Sequence, residues 1–398
     1  MDISRRQFVT GAALGVGGVA VGAVGATAIA RASDDAAPQA AGSMTEPFYG
    51  QHQAGVATPA QAYAAFAAYD LRPGATAESA ARMMHLLSDD AARLTQGRAA
   101  LGDTEPELAT LPSRLTVTFG FGPAFFDRVG LVDEKPPGFE QMPAFSIDAL
   151  EERWSGGDVL IQVCADDPVT VSHAQRMLWK DARAFVTARW LQRGFLAARG
   201  SDASGATGRN LMGQVDGTVN PRTQAEFDAL VWADGPPDWF SGGTMLAVRR
   251  IRMDLDRWDR VDRVDREGTV GRRLDNGAPL TGVHEFDAPD LEALDATGLP
   301  VIPEYAHIRR ARATGATGAQ FLRRGYNYDV GEDAQGVTDA GHIFTAYAAD
   351  LETQVVPVQQ ALADLDLLNQ WTTPIGSAVF ALPPGAAEGG WVGESLLG

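Results

Sequence analysis

Residues 213–221 read GQVDGTVNP, with Asp216 held between Gly213 and Gly217. Asp, Gly and Asn-Pro are turn formers, so the stretch can be a plain structural turn. It can equally be a loop whose glycines let a ligand approach the backbone while a carboxylate, able to exchange a proton, is aimed at it. Further on, EYAHIRRARAT places His307 among Arg309, Arg310 and Arg312, and FLRRGYNYD places Arg323 and Arg324 ahead of Gly325. An imidazole beside an arginine cluster suits a metal-bearing group with carboxylate side chains, because guanidinium pairs with carboxylate through two hydrogen bonds. The plainer readings are a surface histidine in a basic segment and a strand end with solvated arginines.

The other histidines add little. His52, His85, His173, His284 and His342 form no HExxH and no tight cluster with carboxylates, so a multi-histidine metal site has no support. His85 and His173 fall within amphipathic helix patterns, where a packed or surface role is expected. Cys164 is the only cysteine, which excludes an intramolecular disulfide, Cys-rich zinc or iron-sulfur sites and covalent c-type haem attachment.

Elements that could position these groups alternate between strand and helix. QAYAAFAAYDL (61–71) is apolar, aromatic and ended by Pro73-Gly74, as a buried strand would be, and Thr76 can cap the helix that follows. Two strand-to-turn units follow at 114–131 and 158–178, the second with Asp167 as N-cap and Pro168 at the first helical position. Further strands are expected at 185–190, 244–253 and 341–349, and helices at 353–365 and near 257–266. The mixture favours an α+β fold with helices on one face of antiparallel sheets. The flexible stretch GSDASGATGRN divides the chain into modules at 47–209 and 210–398, behind a disordered linker at 33–46.

The chain has 398 residues, 45% hydrophobic and 21% charged, with a formal charge of −18. Its only lysines are Lys135 and Lys180, and no basic stripe carries interleaved aromatics, so nucleic acid is excluded as an expected partner. SRRQFVT at Ser4–Thr10 resembles the twin-arginine export consensus; a weakly apolar Gly/Ala run and Ala30-Arg31-Ala32 then fit a signal over 1–32, cleaved before Ser33. The mature chain is therefore expected to be periplasmic or extracellular, without stable membrane insertion. Oligomeric state leaves no signature.

Taken in order, GRNLMGQVDGTVNP, EYAHIRRAR and FLRRGYNYD resemble the signatures of dye-decolourising peroxidases, in particular the exported bacterial subgroup. The resemblance runs from YGQHQAGVATPAQ to LNQWTTPIGSAVFALPPG, nearly the whole mature chain, although Thr372-Thr373-Pro374 stands where many relatives have a histidine. It implies two ferredoxin-like modules, one non-covalent haem b per chain, and hydrogen peroxide and an organic reductant as substrates; the export signal at Ser4–Thr10 separately implies the twin-arginine machinery as a transient partner. By resemblance His307 is the proximal iron ligand, Asp216 the distal acid and Arg323 the distal arginine. Arg309 contacts a haem propionate, Asp350 stands behind His307, and Phe344 lines the distal side. Tyr326, Tyr328, Trp239, Trp258 and Trp371 are candidates for carrying electrons to the surface. The alternative function is haem or iron handling, either iron release from haem or ferrous-iron uptake.

Overall fold

The computed structural model describes residues 41–201, 206–312, 320–332, 336 and 338–398. The twin-arginine segment and the first part of the expected linker lie outside them.

In the first half, β1 (Tyr63–Leu71), α1 (Ala77–Leu94), β2 (Thr116–Phe121), α2 (Pro123–Val129), β3 (Val159–Ala165), α3 (Pro168–Ala182) and β4 (Val186–Phe195) follow the local signals closely. Thr76 and Ser79 form a reciprocal capping box on α1, and Asp167 accepts from the Thr170 backbone N–H at the start of α3. A cap of this kind is worth about 1 kcal/mol. In the second half come α4 (Gln224–Leu230), β5 (Thr244–Met253), α5 (Leu255–Trp258), α6 (Arg263–Val270), α7 (His307–Arg310), β6 (Leu322–Arg323) and β7 (Tyr326–Glu332). They are followed by β8 (Thr338–Ala348), α8 (Leu351–Gln354), α9 (Val356–Leu365), β9 (Thr372–Leu382) and α10 (Glu394–Leu397).

The strands form one antiparallel sheet in the order β5-β9-β2-β3-β1-β4-β7-β8-β6, and β5 also pairs with β8, which closes the sheet into a barrel. Each half repeats one pattern: its first strand lies between its third and fourth, with the second outermost (β2-β3-β1-β4 and β7-β8-β5-β9). That is the ferredoxin-like arrangement, α+β as expected. The halves are stitched by short seams, Phe121 opposite Ala381 and Phe195 opposite Asn327.

Strand alternation sorts the core into an inner and an outer layer. On β1, Ala64, Phe66 and Ala68 face the barrel interior with Tyr326, Tyr328, Ile343, Tyr347 and Phe380. Ala65, Ala67 and Tyr69 face outward onto α1 and α3, whose Met83, Met84, Leu87, Val171 and Leu178 cover them. Each fully buried side chain of Leu or Phe size contributes ~1.5–3 kcal/mol.

Three expectations need correction. Residues 41–46, expected within the linker, are tied to the body: the Ser113 and Arg114 backbone N–H groups donate to the Gly42 and Met44 carbonyls, and Arg114 pairs with Glu46. The helix expected at 353–365 is two helices, α8 and α9, with Pro357 in the first turn of the second. The helix near 257–266 is also two, because Asp262 caps a new start at Arg263. Among the described residues no helix is long and apolar enough to cross a membrane.

Candidate active site

A cavity of about 330 Å³ opens between the outward face of the second half-sheet and the segment carrying α7 and α9. Met212, Val215, Ile251, Met253, Val270, Ile308, Phe321, Val358, Leu362 and Leu368 give it a mainly apolar wall. Asp216, Arg272, His307, Arg312, Arg323, His342 and Asp366 give it a few converging polar groups. Apolar walls with few polar groups are the ordinary make-up of a cofactor pocket.

On one side, α7 presents His307. Its Nδ1 lies 2.6 Å from Asp366 Oδ2, and the other oxygen of Asp366 accepts from the Leu368 backbone N–H at 2.9 Å. Burial opposes a charged imidazole, but the charge and hydrogen bond of Asp366 outweigh it, so the His307 pKa is raised. With Nδ1 committed, Nε2 is the nitrogen left for a ligand.

On the other side, Asp216 sits in the loop of the opening motif. Asn210 shapes that loop by accepting from the Met212 and Gln214 backbone N–H groups. Gly213 and Gly217 have φ of +80° and +119°, so both are required by the backbone, and Gly217 also lines the cavity. The turn and the cavity-lining loop are therefore one structure. Arg323 Nη1 is 3.2 Å from Asp216 Oδ1. Desolvation works against ionising Asp216; Arg323, then His342, His307 and the Asn210 amide work for it, and the net result is a pKa below the usual carboxylate range.

The structure moves two of the residues inferred from resemblance. Asp350 is not behind His307: it is the N-cap of α8, accepting from the Glu352 and Thr353 backbone N–H groups, and Asp366 holds the imidazole. Arg309 does not line the cavity; its guanidinium donates to the Ile302 and Leu291 carbonyls and pairs with Glu304. Among the described residues the arginines that line the cavity are Arg272, Arg312 and Arg323. Burial, then the neighbouring arginines, lower the pKa of Arg272 and Arg312, although Glu285 partly offsets this for Arg272. Such a repelling set fits an anionic occupant. Phe344 does line the cavity, edge-on to Phe321. Sequence reasoning also passed over Asn220, whose amide clamps both the backbone N–H and the carbonyl of Arg323 at 2.9 and 2.7 Å. Its only signal was Asn220-Pro221, which reads as a turn.

The family model "Dyp-type peroxidase, N-terminal" matches residues 53–196 and "Dyp-type peroxidase, C-terminal" matches 207–387. The chain belongs to the Dyp-type peroxidase family. It is 40% identical over 362 residues to a dye-decolorizing peroxidase of Thermobifida fusca, covering 87% of this chain and 83% of the relative. A crystal structure of a DyP-type peroxidase from Cellulomonas bogoriensis superposes with a TM-score of 0.87 at 48% identity, covering 90% of this chain and 99% of that one. A protein of Yersinia pestis named deferrochelatase is 36% identical over 420 residues, covering 99% of this chain and 95% of its own.

In this Dyp-type peroxidase four of the five aromatics considered for surface electron transfer are buried: Tyr326 and Tyr328 inside the barrel, Trp239 and Trp258 under other elements. Trp371 is half-buried and packs edge-to-face on Trp258 at 5.2 Å.

Proposed function

We propose that this peroxidase holds one non-covalent haem b in the 330 Å³ cavity and reduces hydrogen peroxide at the expense of dyes, phenols or other organic reductants. The observation that supports it best is the convergence on one cavity of a carboxylate-backed imidazole, His307-Asp366, and an acid-arginine pair, Asp216-Arg323. His307 Nε2 would hold the iron, and Arg272 and Arg312 would meet the propionates. Cleavage of the O–O bond and storage of its oxidising equivalents is the chemistry haem supplies when bound.

The chain's own groups handle charge and protons. Asp216, ionised at neutral pH, takes the proton from one peroxide oxygen and returns it to the other. Arg323 stabilises negative charge developing on the departing oxygen through fixed donors in a partly enclosed site. Asp366 keeps the proton on His307 Nδ1, fixing the tautomer. Because the Asp216 pKa is depressed, the basic form persists as pH falls, so peroxide activation should extend further into acid than with a histidine base.

The test is a visible spectrum of the purified protein before and after peroxide, for the wild type, His307→Ala and Asp216→Asn. The expected result is a Soret band altered by peroxide in the wild type, lost iron ligation in H307A, and peroxide reaction slowed by ~10²–10⁴ in D216N. A wild type that takes up no haem would end the proposal.

A second reading is favoured by the deferrochelatase relative, which matches 99% of this chain: iron release from haem bound at the same His307. Assaying dye oxidation against intact porphyrin release, with and without peroxide, separates the two. We also propose export by the twin-arginine route to the periplasm or beyond, supported by SRRQFVT at Ser4–Thr10; Arg5→Lys with Arg6→Lys should retain the protein in the cytoplasmic fraction.

A further inference from the structure

A second cavity of about 320 Å³ lies beside the first and shares Asp216, Arg323, His342 and Phe344 with it. His342 projects from the outward face of β8, between Ile251 of β5 and Asn327 of β7, neither of which carries charge. Its Nε2 is 3.9 Å from Asp216 Oδ2, and its Nδ1 is buried without a hydrogen-bond partner. Room for the ring depends on Gly325, because a Cβ there would fall 2.2 Å from Nε2.

Moving a proton from one peroxide oxygen to the other leaves the proton count unchanged. Complete reduction does not: H₂O₂ with two electrons from the organic reductant and two protons gives two waters, so protons must enter from outside. The groups facing Asp216 are few. Arg323 does not deprotonate in proteins, and the amide of Asn210, 3.4 Å from Asp216, does not titrate. Among the described residues this leaves His342 as the neighbour on this side that can both accept and release a proton.

We propose that His342 relays protons between the second cavity and the Asp216 carboxylate, an inference that rests on the peroxidase reading. The 3.9 Å gap is closed by ring rotation or a single bridging water. Burial, together with Arg323, favours the neutral ring, while Asp216 pulls the other way; the net lowering keeps a ring nitrogen free to accept.

The experiment uses haem-loaded full-length protein with His342→Gln and His342→Leu, two variants that cannot titrate. Haem content and the bimolecular reaction with peroxide should stay within about threefold of wild type, since Asp216 still shuttles. Steady-state kcat should fall on the order of tenfold, less than the ~10² of a group that itself exchanges the substrate's proton, with a larger solvent isotope effect. Fluoride binding to the ferric protein, which takes up a proton without turnover, should slow by a similar factor. Unchanged kcat and fluoride kinetics in both variants would overturn the relay, as would a parallel fall of haem content and peroxide reactivity, the mark of a structural role. Failure of the peroxidase reading is recognised separately, by absent turnover in the wild type.

Discussion

Replacing Asp366 by Asn tests the His307 side of the site. The two oxygens of Asp366 serve two donors, His307 Nδ1–H at 2.6 Å and the Leu368 backbone N–H at 2.9 Å. Asparagine has one acceptor oxygen, so one of those donors must face an NH₂ group, and the bond that survives is no longer charge-assisted. A lost charge-assisted bond at a side chain only 3% exposed costs about 2 kcal/mol, on the order of thirtyfold in haem affinity and inside the ~10–100-fold range of such outer-shell changes. The assay is titration of apoprotein with haemin, following the Soret band. Apoprotein stability gives a second reading. Asp366 raises the His307 pKa, so the pair's stabilisation is complete below the unfolded histidine value of ~6.5 and is lost as pH rises through the folded value. That fall should flatten in D366N. Asp350→Asn is the control: it touches only the α8 cap and should leave haem affinity within twofold. Wild-type affinity in D366N, or a larger loss in D350N, would refute the assignment.

Arg312→Leu should weaken haem binding about tenfold and leave the apoprotein no less stable, since this cation is held against burial and Arg323. Arg309→Leu should do the reverse, sparing haem titration while costing ~1–3 kcal/mol in chemical denaturation as the Ile302 and Leu291 carbonyls lose their donor. Burial and then Asp90 push the Asp181 pKa up to about 7, so wild-type stability should decline as pH rises from ~4 through 7. Discounted for partial exposure, that decline is roughly 2 kcal/mol, and it should vanish in urea titrations of Asp181→Asn. Trp258 packs with Met212 and Met253, both on the cavity wall, and hands the contact to half-exposed Trp371. Trp371→Phe should therefore slow bulky-dye turnover several-fold and spare small phenols; equal effects on both would count against the path.

What the sequence made legible is what local chemistry decides. Thr76, Asp167-Pro168 and the apolar run at 244–253 each announce an element whose signal lies within a few residues, and the structure places α1, α3 and β5 there. Asp216, His307 and Arg323 sit in short motif segments and converge on one cavity. Asp366 was out of reach because its contact with His307 spans 59 residues and depends on where α9 delivers the chain. Asp350 looks equally suitable on paper, but its own backbone donors claim it. Arg309 is displaced as a propionate contact for a similar reason: α7 is only one turn long, Arg309 within it turns to carbonyls, and Arg312, just past the helix end, reaches the cavity. Asn220 acts across 103 residues, and no periodicity reports that.

The paired arginines of FLRRGYNYD show how the barrel and the site depend on each other. Leu322, Arg324, Tyr326 and Tyr328 point into the barrel, while Arg323 points out into the cavity, as alternation along an extended chain requires. Arg324 is buried and donates to the Thr58 carbonyl, the Gln61 side chain and Cys164 Sγ, all from the first half of the chain. A slip of one residue would strip that guanidinium of its acceptors and carry Arg323 inward, leaving a buried charge unpaired at a cost of several kcal/mol. Among the described residues β1–β4 and α1–α3 supply none of the side chains hydrogen-bonded to Asp216 or His307, yet through Arg324 the first half fixes the register that aims Arg323 at Asp216. An isolated second half should therefore lose this aim even where its own strands pair.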